Sequence, residues 1–108
     1  MTLPLPPCLC TYFSVHDGAD VALLGDCFAP EATVLDEGQQ YQGHAAIQTW
    51  LREALEKFAC TTVPLEVREG EGKVTVRTRV SGNFPGSPVE LDHHFAIAEG
   101  KIQALEIR

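Results

Sequence analysis

After Cys60 the hydrophobic residues recur at every second position, and no helical period is found as far as the last residue. A period of two is typical of strands with one buried and one solvated face. The alternating segments are residues 63–68, 74–84, 89–97 and 102–107. Turn-forming residues separate them at 70–72, 85–88 and 99–100. The second half of the chain is therefore predicted to be a run of β-hairpins.

Two short helices are predicted near the N-terminus. The stripe of the first helix recurs at i, i+3, i+4 and i+7 and consists of Leu9, Tyr12, Phe13 and His16. The start of this helix is suited to Pro6 and Pro7, and the helix is expected to end at Asp17-Gly18. Asp20 can cap a second helix, which Pro30 is expected to stop.

The first strand and the longest helix follow. From Ala32 the period changes to two, so Ala32, Val34 and Asp36 share the apolar face of the predicted strand. The chain turns at Gly38, returns briefly over 41–43, and continues in a helix over 44–58. The stripe of this helix consists of Ile47, Trp50, Leu51, Ala54, Leu55 and Phe58.

These elements predict an α+β fold in the order α-α-β-β-α-β-β-β-β. A curved mixed or antiparallel sheet is expected to wrap around the three N-terminal helices. We interpret residues 1–108 as one domain, since 108 residues suffice for a single core. Bulges that would curve the sheet are expected at Gly82 and between Ile102 and Leu105. Between these two residues there is a parity slip, a break of one residue in the alternation of inward and outward side chains.

Composition excludes several functions. The net charge of -7 argues against binding to nucleic acid or anionic membranes, because such binding depends largely on cationic side chains. The four cysteines, at 8, 10, 27 and 60, lack metal-site spacing, and reduced thiols are expected. Because the opening residues carry no basic group and no long apolar run, we expect a cytoplasmic protein.

Three polar residues fall on the faces that the periodicity assigns to the interior, namely Tyr12, Asp36 and His93. An acid among apolar side chains has a raised pKa, which suits a general base. A phenol and an imidazole can donate hydrogen bonds to an oxygen that gains negative charge. Together the three residues favour proton transfer next to a carbonyl group.

Each of these residues also has a structural interpretation. Tyr12 could be a core aromatic whose hydroxyl reaches a carbonyl. Asp36 could bind backbone N-H groups in the turn at 37–38. His93 could be a buried histidine with satisfied hydrogen bonds.

The remaining expectations concern the cavity and its contents. The predicted lining is aromatic and consists of Phe13, Trp50, Phe58, Phe84 and Phe95. The histidines at 16, 44, 93 and 94 are assigned to different faces without a metal-binding spacing, so no metal and no cofactor are expected.

The chain resembles the NTF2-like superfamily, especially its SnoaL-like and ketosteroid-isomerase-like members. The resemblance covers nearly the whole sequence. It rests on four segments, namely Gly-Ala-Asp at 18–20, Phe-Ala-Pro-Glu-Ala-Thr-Val-Leu-Asp at 28–36, Gly-His-Ala-Ala-Ile at 43–47, and His94-Phe95 followed by Gly-Lys-Ile at 100–102. It implies a cone-shaped fold that encloses a pocket, but the fold hosts many reactions.

The resemblance also implies residue roles. Asp36 falls where ketosteroid isomerases keep their proton-shuttling aspartate, and Tyr12 where they keep the tyrosine that binds the oxyanion. His93 takes the place of the second oxyanion donor, an aspartate in that family, and a shift of one residue would put Asp92 there. Strand parity points His93 inward, which favours the unshifted alignment.

The residues and the resemblance together leave two functions open. One is an acid/base enzyme of the isomerase or lyase/cyclase type, which acts on a small apolar ligand with a carbonyl group. The alternative is a non-catalytic module for ligand binding or dimerisation. A homodimer is expected through the outward face, which bears Arg77, Arg79, Glu90, Asp92 and His94.

Overall fold

A computed structural model describes residues 5–108, with the side chain of Phe58 excepted. The first four residues, part of the segment in which no signal peptide is expected, lie outside the described range. The helices are α1 (Pro7–His16), α2 (Leu24–Cys27) and α3 (His44–Phe58), and a 3-10 turn (Val21–Leu23) leads into α2. The strands are β1 (Phe28–Asp36), β2 (Gln39–Gln42), β3 (Thr61–Gly70), β4 (Lys73–Ser81), β5 (Val89–Ala98) and β6 (Lys101–Ile107). No helix in the described range is long and apolar enough to cross a bilayer.

The six strands form one curved mixed sheet in the order β2-β1-β6-β5-β4-β3. Neighbouring strands are antiparallel except β1 and β6, which are parallel. The helices pack on the inner face of the sheet, and the core contains residues from both layers, including Leu9, Ile47, Val76 and Leu105. The predicted α+β fold and its element order are confirmed.

The entry into β1 differs from the sequence prediction. Asp20 caps the second helical segment as predicted, since its Oδ1 accepts a hydrogen bond from the Ala22 N-H at 2.9 Å. That segment ends at Cys27, and β1 begins at Phe28 rather than Ala32. Pro30 therefore lies within the strand, where the register between β1 and β6 shifts. A proline is tolerated there because no ladder bond is required from its missing N-H.

The parity slip predicted in β6 is confirmed. Ile102 pairs with Ile97 and Ala104 with Ala96, so Gln103 is the extra residue of a bulge. The bulge lets Ile102 and Leu105 both point inward although three positions separate them. The bulge predicted at Gly82 is wrong, because β4 ends at Ser81.

Candidate active site

A cavity of about 1280 Å³ opens between α1, α3 and the inner face of the sheet. This volume exceeds the range of about 300–1,000 Å³ that is usual for small-ligand pockets, so a small ligand fits. Apolar surface predominates, but polar side chains enter the cavity from several elements. Those that matter for chemistry are Tyr12, His16, Asp36, Trp50 and His93.

Asp36 is the last residue of β1 and lies half-buried on the same face as the fully buried Val34. Trp50, on α3, donates its indole N-H to Asp36 Oδ2 at 3.0 Å. Burial raises the pKa of the Asp36 carboxyl, and the hydrogen bond from Trp50 partly opposes that rise. The backbone N-H of Glu37 also hydrogen-bonds to the carboxyl. Asp36 thus makes the predicted turn contact and also faces the cavity.

Tyr12 is completely buried on α1, and its ring packs edge-on against Phe13, Phe28 and Phe95. Its hydroxyl group has no hydrogen-bond partner among the described residues. Burial, together with the charge of Asp36, raises the pKa of the Tyr12 phenol well above its usual range. The phenol is therefore a proton donor at neutral pH.

His93 lies on the inner face of β5 and is 2 % exposed. Its neighbour Asp92 lies on the outer face, where Arg77 binds it at 3.4 Å. The inward direction predicted for His93 is therefore found, and the shifted alignment that would place Asp92 in the pocket is not.

A hydrogen-bonded chain favours one tautomer of His93. When the Thr78 hydroxyl donates to the Leu91 carbonyl, 3.0 Å away, its oxygen accepts from His93 Nδ1 at 3.3 Å. Burial lowers the pKa of His93 to about 3, and the ring is neutral at physiological pH. His93 Nε2 is then an acceptor. Donation from Nε2 to an oxyanion would need the other tautomer and would break the bond to Thr78.

His16, which the sequence analysis placed on the stripe of the first helix but not among the site residues, belongs to the same cluster. Its ring centroid lies 4.8 Å from that of Tyr12, and both rings pack on Phe13. Burial lowers the pKa of His16 to about 4. The assignment of all the histidines to different faces is wrong for His16 and His93, because both line one cavity. The available signal was the i, i+4 spacing of Tyr12 and His16 on α1.

Three polar atoms of this cluster have no hydrogen-bond partner within residues 5–108, namely the Tyr12 hydroxyl and both nitrogens of His16. Each buried polar group left without a partner costs about 1–3 kcal/mol. Native proteins rarely leave such groups unpaired. The cluster thus carries an energetic cost that a polar partner would relieve.

The predicted aromatic lining is correct only in part. Trp50 and Phe84 line the cavity. Phe13 and Phe95 do not, because they pack in the core behind Tyr12. The Phe58 side chain lies outside the described residues.

No group of three histidine, cysteine or acidic side chains that could hold a metal ion occurs in the described part of the chain. The four cysteines are free thiols. Cys60 lines the cavity, and burial raises the pKa of its thiol. The buried or half-buried groups at the site that can take part in acid/base chemistry therefore include a carboxylate, a phenol, a thiol and neutral imidazoles.

Residues 11–105 match the family described as the SnoaL-like domain. A protein of Sinorhizobium meliloti, provisionally named a polyketide cyclase, is 41% identical, with 96% of this chain and 95% of that chain covered and a TM-score of 0.92. No curated protein matches the chain.

More distant solved structures share the fold. A ketosteroid isomerase-like protein of Catenulispora acidiphila, solved with trimethylamine, is 16% identical over 97% of this chain and 86% of its own, with a TM-score of 0.84. TerC, co-crystallised with polyporic acid, is 18% identical over 94% of this chain and 87% of its own, with a TM-score of 0.77.

Proposed function

Because the chain belongs to the SnoaL-like domain family, we propose that it is an enzyme of the isomerase or cyclase type that moves a proton on carbon next to a carbonyl group. The observation that carries this proposal is the half-buried Asp36 carboxyl, which faces a large apolar cavity and has a raised pKa. A carboxyl with a raised pKa is a stronger base than free aspartate and can accept a proton from an activated carbon.

In this mechanism Asp36 removes the proton, and Tyr12 stabilises the oxygen of the resulting enolate. The Tyr12 hydroxyl lacks a partner in the described structure but is fully buried, so donation to that oxygen requires the ligand to displace neighbouring side chains. Trp50 holds the carboxyl of Asp36 in place through its N-H group. Ring closure of a polyketide, the activity in the provisional name of the Sinorhizobium meliloti protein, also proceeds from a carbanion next to a carbonyl.

Exchange of carbon-bound hydrogen for deuterium tests the proposal without knowledge of the natural substrate. The probe is β-tetralone, an apolar bicyclic ketone with acidic protons on carbon, followed by proton NMR in D₂O. The protein should accelerate exchange over buffer. Asp36→Asn should slow the protein-catalysed exchange by about 100-fold or more, as expected for the loss of a general base.

Glu31→Gln is the matched control, because Glu31 is an exposed acid on the same strand. It should exchange at the wild-type rate. An NMR titration of the Asp36 carboxyl carbon should give a midpoint above that of free aspartate. Binding of β-tetralone without accelerated exchange would reject the enzyme and favour a ligand-binding module.

We also propose that the protein is a homodimer formed through the outer face of the sheet. That face carries both signs of charge, with Arg77 3.3 Å from Glu90 and Leu35 38% exposed beside a shallow depression. A surface with paired opposite charges and exposed apolar groups can be self-complementary about a two-fold axis.

A further inference from the structure

The long helix α3 carries Trp50, whose indole N-H holds the proposed base Asp36. The helix packs mainly on β1, β2 and α2, and the cavity lies on its other side. A helix packed on one side resists displacement along its axis less than one packed all round. A displacement of one residue, about 1.5 Å, would misalign the Trp50 N-H with the carboxyl.

The first turn of α3 is bonded to the main chain of β1. The half-buried His44 is the first residue of the helix, and its Nε2 lies 2.8 Å from the carbonyl oxygen of Phe28. A carbonyl oxygen only accepts, so His44 is the donor and its Nε2 carries the proton. One residue earlier, the Gly43 N-H donates to the Ala32 carbonyl at 2.9 Å. The helix is therefore joined to β1 at its start as well as through Trp50.

Both bonds reach β1 where the pairing of this strand with β6 is irregular. Phe28 pairs with Ile102 and Thr33 pairs with Ala104, and the register shifts between these two pairs. Backbone groups beside such an irregularity need partners outside the regular ladder. The start of α3 supplies donors to two of the carbonyls there. A helix whose first turn binds two particular carbonyls is fixed along its axis.

The other side of the His44 ring packs on α2. A β-carbon built at Gly25 would lie 3.7 Å from His44 Nδ1, so the ring is close to the main chain of that helix. Confinement between α2 and β1 restricts the side-chain rotamers of His44 and keeps Nε2 directed at the Phe28 carbonyl.

We propose that His44 is a positioning residue, which sets the axial position of α3 so that the Trp50 N-H meets the Asp36 carboxyl. His44 is not among the residues that line the cavity, so it acts through the helix. Of the two bonds at the start of α3, only this one depends on a side chain. The inference deepens the proposed function and rests on it, because Asp36 is taken to be the base.

An NMR titration of the Asp36 carboxyl carbon measures this alignment without any substrate. The bond from Trp50 lowers the pKa of Asp36 against the effect of burial, so its loss in Trp50→Phe should raise the midpoint. His44→Leu should shift the midpoint in the same direction. The double variant should have the midpoint of Trp50→Phe alone, because His44 acts through Trp50.

A conservative variant and an unrelated histidine are the controls. His44→Gln keeps an N-H near the position of Nε2 and should restore the wild-type midpoint. His94 is also half-buried, but its ring binds Thr75 at 3.2 Å and does not line the cavity. His94→Leu should therefore leave the Asp36 midpoint unchanged.

Circular dichroism checks that each variant is folded. His44→Asn replaces His44→Leu if the leucine variant is unfolded, because the shorter amide does not reach the Phe28 carbonyl and should give the same rise. An unchanged or lowered midpoint in the folded variant would overturn the positioning role. So would a further rise on adding His44→Leu to Trp50→Phe, or a His44→Gln midpoint equal to that of His44→Leu.

Exchange of β-tetralone separates this role from the proposed function. His44→Leu should lower kcat about tenfold with KM unchanged, since a small misplacement of the base slows the chemical step while the cavity is kept. A wild type without exchange would reject the enzyme and leave the titration result standing. Exchange by the wild type, with no midpoint shift in His44→Leu, would reject only the role of His44.

Discussion

At the scale of single residues, the sequence predicted which way a side chain points better than what that side chain does chemically. Alternation along β1 and β5 placed Asp36 and His93 on inner faces, and the structure has both there. The tautomer of His93 could not be predicted, because Thr78 pairs with it only when β4 and β5 lie side by side. The contact between His16 and His93 is likewise tertiary, although the spacing of His16 from Tyr12 on α1 already placed the two on one face.

The two buried histidines should make stability depend on pH. Their pKa values are lowered to about 4 for His16 and about 3 for His93, against a usual value of 6.5. Below pH 6.5 the unfolded chain therefore binds more protons than the folded one, and the free energy of unfolding decreases as the pH falls. For His16 the loss by pH 4 is on the order of 3 kcal/mol, at about 1.4 kcal/mol per pKa unit.

Urea unfolding between pH 7 and pH 4 measures this effect. Asp36 acts in the opposite sense, because its raised pKa means that the folded state takes up that proton first. His16→Leu should therefore show a shallower pH dependence than the wild type. The same slope in His16→Leu and the wild type would contradict a neutral, buried His16.

At the scale of elements, the long helix and the hairpins were predictable because each has a strong period of its own. α3 spans His44–Phe58 as predicted. The start of β1 was not predictable, because Pro30 indicates the end of a helix locally but is tolerated in the strand by the register shift against β6. The pairing of β1 with β6, and not the local sequence, determines where this strand begins.

The bulge in β6 offers a test of register. Inserting an alanine between Ala104 and Leu105 should turn Leu105 outward and Glu106 inward, since a shift of one residue exchanges the faces of a strand. We expect a loss of about 3 kcal/mol or more from the exposed leucine and the buried carboxylate. Gln103→Ala keeps the bulge and should cost less than about 1 kcal/mol. Thermal and urea unfolding measure both, and an insertion variant as stable as Gln103→Ala would contradict the assigned register.

At the scale of the whole molecule, the sheet separates the cavity from the face proposed for dimerisation. Its inner face and the helices enclose the cavity, and its outer face presents ion pairs and a shallow depression of about 320 Å³. The depression includes Ala96 and Ala104, which pair across β5 and β6. Small side chains at this position leave room for the close approach of a second copy.

Sedimentation equilibrium tests the proposed dimer. The wild type should have twice the chain mass of 11.8 kDa at micromolar concentration. Ala104→Arg should reduce it to a single chain, because a bulky charge would occupy the depression. Glu56→Arg, a charge reversal on the exposed side of α3, should remain dimeric. A monomeric wild type would reject the dimer.

The hydrogen bond between Trp50 and Asp36 gives the protein a built-in optical probe. Trp50 is the only tryptophan in the chain, and its indole N-H points at the carboxyl proposed to do the chemistry. Ionisation of that carboxyl changes the electric field at the indole ring, so the fluorescence of the unlabelled protein reports the charge state of Asp36 directly.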